Sequence, residues 1–185
     1  NGMSWKCKLL NLPCFVPDQK VLAIVDAQKD FIDGSMGVGM EKWKKAKAAI
    51  IDLIKKEKYD SIVYTKDWHP TNHCSFKDQG GMWPSHCVAG QKGADIDPDL
   101  LAIQIPSVTL NKGCDPNVEE YGIDVLPNVD NVKELHLVGL CFDYCVQSCA
   151  KETAKTHPNT KIVVKKAGTV AIDENAKIDW EGLNV

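Results

Sequence analysis

Arginine is missing from all 185 residues: the 22 cationic side chains are lysines, set against 25 carboxylates for a net charge of −3. Arginine's planar fork is the usual bidentate grip on carboxylates and phosphates, so its absence leans against a multiply anionic ligand. The charges are scattered, with no basic stripe to follow nucleic acid or an anionic membrane. No apolar stretch approaches the ~20 residues of a membrane span, and there is no internal repeat, low-complexity tract or interdomain linker. A composition of 44% hydrophobic and 25% charged residues then predicts one globular domain over residues 1–185. Residues 1–18 read as an N-terminal extension, in which Asn1-Gly2 ahead of Met3 carries no functional weight.

Eight cysteines would suit a secreted disulfide framework, but Met3-Ser4-Trp5-Lys6-Cys7-Lys8 shows no apolar run followed by a cleavage site. The expectation is a cytoplasmic protein whose thiols stay reduced, most packed as small hydrophobes and one or two reactive.

Val21-Leu22-Ala23-Ile24-Val25 is a continuous apolar run ending at Asp26, which predicts a strand buried on both faces. A Gly-containing loop over Asp33–Gly39 leads to Trp43, Ala46, Ile50, Leu53 and Ile54 at helical spacing, with lysines on the other side. Further strands are predicted at Ser61–Thr65, Ser107–Leu110, Leu135–Val138 and Lys161–Val164, with a helix over about Tyr144–Thr156. Strands alternating with helices imply an α/β fold of three layers, α-β-α, around a mainly parallel sheet.

Ligand sites in such sheets form beyond the carboxyl ends of the strands. There the chain delivers Asp26 after the first strand, Asp67 after the second, Lys112 after the third and Cys145 after the fourth. Asp67, His69, His73 and His86 have metal-ligand spacing, three of the five histidines falling within eighteen positions beside a D-x-H pair. One carboxylate and three imidazoles suit Zn²⁺, Fe²⁺ or Mn²⁺ and leave coordination open for water or substrate. Cys145 at a helix start, with Lys112 nearby, is expected to have a lowered pKa. Asp26, at the end of an apolar strand, is expected to have a raised one and to shuttle the proton. A thiol, a base and a cation make a nucleophilic site for acyl transfer.

Five segments carry a resemblance to the nicotinamidase/pyrazinamidase family of isochorismatase-like cysteine hydrolases. They are Val25-Asp26-Ala27-Gln28-Lys29-Asp30-Phe31, Thr65-Lys66-Asp67-Trp68-His69, Trp83-Pro84-Ser85-His86-Cys87-Val88-Ala89-Gly90, Asn111-Lys112-Gly113 and Val138-Gly139-Leu140-Cys141-Phe142-Asp143-Tyr144-Cys145-Val146. The resemblance implies Cys145 as nucleophile, Asp26 as general acid/base and Lys112 as third member of a triad. It implies Asp67, His69, His73 and His86 as ligands of one divalent ion, zinc first and iron or manganese as alternatives. Phe31 and Trp83 match the aromatics that sandwich a pyridine ring, and Tyr121 a tyrosine that closes the pocket. A cis peptide is implied at Leu140–Cys141, with the backbone N–H groups of Cys141 and Cys145 as an oxyanion hole.

The implied activity is hydrolysis of nicotinamide, and of pyrazinamide, through a thioester, within NAD salvage. The implied partner is the small-molecule substrate, with no nucleic acid or membrane, and a homo-oligomer is left open. The chain departs from the family between Tyr121 and Leu135, which is short, and in its abbreviated C-terminal helix. Two other readings stand beside this one: an isochorismatase-like hydrolase acting on a different small amide, and a non-catalytic zinc-binding module.

Overall fold

The computed structural model describes residues 19–185, so the expected extension over 1–18 lies outside the described residues. Five parallel strands form one sheet: β1 (Gln19–Val25), β2 (Ser61–Asp67), β3 (Ser107–Lys112), β4 (Val132–Leu140) and β5 (Lys161–Val170), in the order β3-β2-β1-β4-β5. Helix α1 (Lys29–Ile32) is a single turn, α2 (Met40–Glu57) is the long amphipathic helix, α3 (Pro98–Leu101) is short, and α4 (Gln147–Thr156) follows a π-helical turn over Phe142–Val146.

Both faces of the sheet are covered, as the unbroken apolar run of β1 requires. Leu22 and Ile24 pack with Trp43, Ala46 and Ile50 of α2 on one side. Val21, Ala23 and Val25 pack with Val146, Cys149 and Ala150 on the other. The expected α-β-α layering is therefore the observed one. Residues 121–131 lack regular structure, yet Val125, Leu126 and Val129 are buried in the second core. No helix occurs in 171–185, where Trp180 instead packs at a tilt against Phe142 with ring centroids 5.1 Å apart. Among the described residues no helix is long and apolar enough to cross a membrane.

Four strands run further than their apolar cores predict. β2 extends to Asp67, β3 to Lys112, β4 over 132–140 and β5 to Val170. Asp67 and Lys112 thus sit in the last ladder rung of their strands, directly opposite one another. The strand order reverses between β1 and β4, so the crevice between their carboxyl ends is where such a sheet opens a site. Gly139 makes that approach close: at φ 112°, a Cβ there would lie 2.1 Å from the Val25 carbonyl. The Leu140–Cys141 peptide is cis.

Candidate active site

Asp26 leaves β1 with φ 45°, a left-handed conformation that Asp tolerates better than most residues. Its backbone N–H donates to the Thr65 carbonyl at 3.0 Å, and the Thr65 hydroxyl donates to Asp26 Oδ1 at 2.7 Å. Asp26 Oδ2 lies 2.7 Å from Lys112 Nζ, a fully buried ion pair. Lys112 is 1% exposed. Its ammonium also donates to Asp67 Oδ1 at 2.6 Å and to Cys145 Sγ at 3.3 Å. One buried cation therefore joins both carboxylates and the thiol, and ligand atoms of Asp26, Asp67 and Cys145 fall within 4.8 Å of one another.

The two carboxylates are driven apart. Burial pushes the Asp26 carboxyl above the ordinary value, with Lys112 only partly opposing it. Burial acts on Asp67 in the same sense, but the Lys112 ammonium, the largest opposing influence, holds Asp67 well below the usual carboxylate range. Lys112 is raised, because Asp26 and Asp67 overcome its own burial, and stays charged. Cys145 corrects the sequence reading. It lies in the π-helical turn rather than at an α-helix start, and burial raises its pKa well above that of a free thiol despite Lys112. The resting sulfur is a protonated thiol whose proton has Asp26 close by.

Asp67, His69 and His86 converge on one point. Asp67 Oδ2 is 3.3 Å from His69 Nε2 and 3.8 Å from His86 Nε2. His69 Nδ1–H donates to the Gly113 carbonyl at 2.7 Å, and His86 Nδ1–H to the Pro84 carbonyl at 2.7 Å. Each Nε2 is thereby left with its lone pair directed at the cluster, the arrangement that orients metal-bound imidazoles. Around one small divalent ion, ligand atoms sit roughly 3–4 Å apart, so the three donors fit such an ion. Gly113 permits this, since a Cβ at that position would lie 2.4 Å from the His69 ring.

His73 is placed differently. Its ring lies against His69 with centroids 4.0 Å apart. Its Nε2–H donates to the Val118 carbonyl at 2.9 Å, while Nδ1 accepts from Ser75 at 2.7 Å. Both nitrogens are occupied, and His73 is not among the three converging ligands.

A narrow slot opens on the thiol, lined by Phe31, Trp83, Tyr121 and Tyr144 with Cys141 and Cys145 at its base. Trp83 Nε1–H donates to the Tyr121 hydroxyl at 3.0 Å, and Trp83 meets Tyr144 edge-on at 5.2 Å. The structure thus brings the three expected aromatics together and adds Tyr144, Met36, Glu119, Glu120 and Ile172. Gln28 is a further residue without a sequence-level role. It is fully buried, donates to the Asp67 and Ala94 carbonyls at 2.8 and 3.0 Å, and accepts from the Asp67 N–H at 2.9 Å. Its place two residues past Asp26 is the only signal the sequence offers.

A parallel α/β sheet with a thiol, carboxylate and ammonium buried at its switch point defines the class as one of small-molecule hydrolases with a metal-competent annex. A family model for the isochorismatase domain matches residues 20–176, and the chain belongs to that family, in its nicotinamidase/pyrazinamidase branch. It is 31% identical over 166 residues to the nicotinamidase/pyrazinamidase of Mycobacterium tuberculosis, covering 83% of this chain and 89% of that protein. A pyrazinamidase of Pyrococcus horikoshii solved in complex with zinc superposes with a TM-score of 0.67 at 28% identity, covering 84% of this chain and 88% of that one. PnC1 of L. infantum in complex with nicotinate superposes with a TM-score of 0.73 at 28% identity, covering 86% of each chain.

Proposed function

We propose that the chain hydrolyses nicotinamide to nicotinate and ammonia, with pyrazinamide as a second substrate, through a thioester on Cys145. The observation that carries this reading is Lys112, buried between Asp26 at 2.7 Å, Asp67 at 2.6 Å and the Cys145 thiol at 3.3 Å. Asp26, with its raised proton affinity, takes the thiol proton as Sγ attacks the amide carbon. The cationic Lys112 stabilises both the carboxylate and the forming thiolate. The backbone N–H groups of Cys141 and Cys145 receive the negative charge that develops on the carbonyl oxygen. Asp26 then returns its proton to the nitrogen as the C–N bond breaks and ammonia leaves. A water that gives its proton to Asp26 adds to the thioester, and cleavage of the C–S bond releases the acid and restores the thiol.

Phe31 and Trp83 hold the flat ring, and Tyr121 steadies Trp83 from the rim. Asp67, His69 and His86 would hold one divalent ion, zinc in our reading, which supplies a Lewis-acid contact for the ring nitrogen and a polarised water. His73 joins as a fourth ligand only by giving up its Val118 hydrogen bond. A purely structural zinc module gives no reason for a thiol, a base and an ammonium to be buried beside the histidines. All six cysteines among the described residues are unpaired. That supports a reducing cytoplasmic setting, in which the reaction would serve NAD salvage.

Ammonia release from nicotinamide by purified protein, with metal analysis of the same sample, tests the proposal. Turnover with about one divalent ion per chain is expected. An inactive protein of full metal content would refute it.

A further inference from the structure

Ile172 is a large apolar side chain, 41% exposed two residues past β5, yet it lines the slot beside Cys141, Tyr144 and Cys145. What holds its segment there is Asp143. That carboxylate, 8% exposed in the turn between Cys141 and Cys145, accepts the Ile172 N–H at Oδ1 (2.8 Å) and the Asp173 N–H at Oδ2 (2.9 Å). Using both oxygens fixes the orientation as well as the position of the strap. The turn that carries the thiol thus also carries a wall of the slot.

The slot has about 20 Å³ of free volume, room for about one water. A substrate ring therefore needs a wall to give way. Behind residues 171–174 lies a cleft of about 560 Å³, lined by Phe142, Lys42, Asp173 and Glu174. Apart from Asp143, the strap's charged tie is Glu174 to Lys42 at 2.7 Å, with both side chains more than half exposed, a pair that constrains little. Trp83, by contrast, is fixed through both its backbone N–H to Ser75 and its indole N–H to Tyr121.

We propose that Ile172 determines which ring substituents the slot accepts, and that Asp143 is the positioning residue that sets this wall against the reacting turn. The inference rests on the nicotinamide reading. Its test compares kcat/KM for nicotinamide with that for a set of nicotinamides each methylated at a different ring carbon. Ile172→Ala should raise the methyl-to-parent ratio about tenfold or more for at least one of them, the worth of a methyl group in an apolar pocket. Asp143→Asn should shift the same ratio in the same direction and raise KM for nicotinamide more than it lowers kcat.

A ratio within twofold of wild type for every analogue in Ile172→Ala overturns the inference, and that variant serves even where Asp143→Asn fails to fold. An Asp143→Asn protein that loses kcat with ratio and KM unmoved overturns the positioning role. Wild-type protein that releases no ammonia from any of these amides overturns the nicotinamide reading, and this inference with it. Wild-type turnover with unmoved ratios overturns this inference alone.

Discussion

The histidines at the carboxyl edge of the sheet and the one in the middle of β4 sit in opposite kinds of surroundings. His69 and His86 each give one N–H to a backbone carbonyl and turn the other nitrogen toward Asp67. His136 spends both: Tyr59 meets Nδ1 at 2.6 Å and Glu134 meets Nε2 at 2.8 Å. The thiols divide the same way, since Cys145 faces Lys112 while Cys149 is packed among apolar side chains with burial pushing its pKa up to about 12. A group whose partners are complete stabilises the fold. One left a partner short is available to a ligand, and His73 has both nitrogens engaged by Ser75 and Val118.

The largest expected effect separates the two thiols. Cys145→Ala should lower amidase turnover by about 10⁴-fold or more while fold and metal content persist, whereas Cys149→Ala should keep most activity. Comparable losses in the two would erase the distinction. Lys112→Met comes next: it strands two buried carboxylates and should cost about 3–5 kcal/mol of stability together with the activity. Urea unfolding at neutral pH checks it, and a change below 1 kcal/mol would mean that water enters the site freely.

A crossed pair of variants sharpens the contrast between the histidines. His86→Ala should release the metal and lower turnover by about 100-fold, as loss of substrate orientation does, with little change in Tm. His136→Ala should retain metal and activity but lose about 2 kcal/mol, since it leaves the buried Tyr59 hydroxyl unpaired. Chelation of the wild type should reproduce the first variant and not the second.

The smallest effect is in pH. Burial disfavours the His136 imidazolium more than Glu134 favours it, so its pKa lies below the ordinary 6.5. As pH falls, the unfolded chain takes up the proton first. The stabilisation is therefore whole above about 6.5 and declines below it. Urea midpoints of metal-free protein should drop between about pH 7.5 and 5.5, and His136→Gln should flatten part of that drop. An unchanged slope would assign it to His73 and His86, whose pKa values burial also lowers.

Much of this is legible in the chain itself. The run Val21–Val25 could only be a doubly covered strand, and the helical spacing of Trp43, Ala46 and Ile50 marks the face of α2 that is buried. What the pattern hides are the strand ends. Lys66-Asp67 and Asn111-Lys112 read as loop because they are polar, yet they continue the ladder. The D-x-H spacing places three imidazoles together but is blind to which nitrogen each one has free, as His73 with its bonds to Ser75 and Val118 illustrates. Local sequence likewise suggests a helix dipole and a lysine acting on Cys145. Its 5% exposure, contributed by residues far along the chain, decides the opposite sign. Asp143 and Gln28 act through backbone groups 29 and 39 positions away, contacts no local pattern records.

Lys112 touches Asp67 and Cys145 with the same ammonium, and this has a thermodynamic corollary. A cation bound at Asp67 competes for the carboxylate that Lys112 now shares, and so changes how strongly that ammonium attends to the sulfur. Such coupling is reciprocal. If metal alters the affinity of a reversible thiol-directed inhibitor for Cys145 by some factor, that inhibitor must alter the affinity for metal by the same factor.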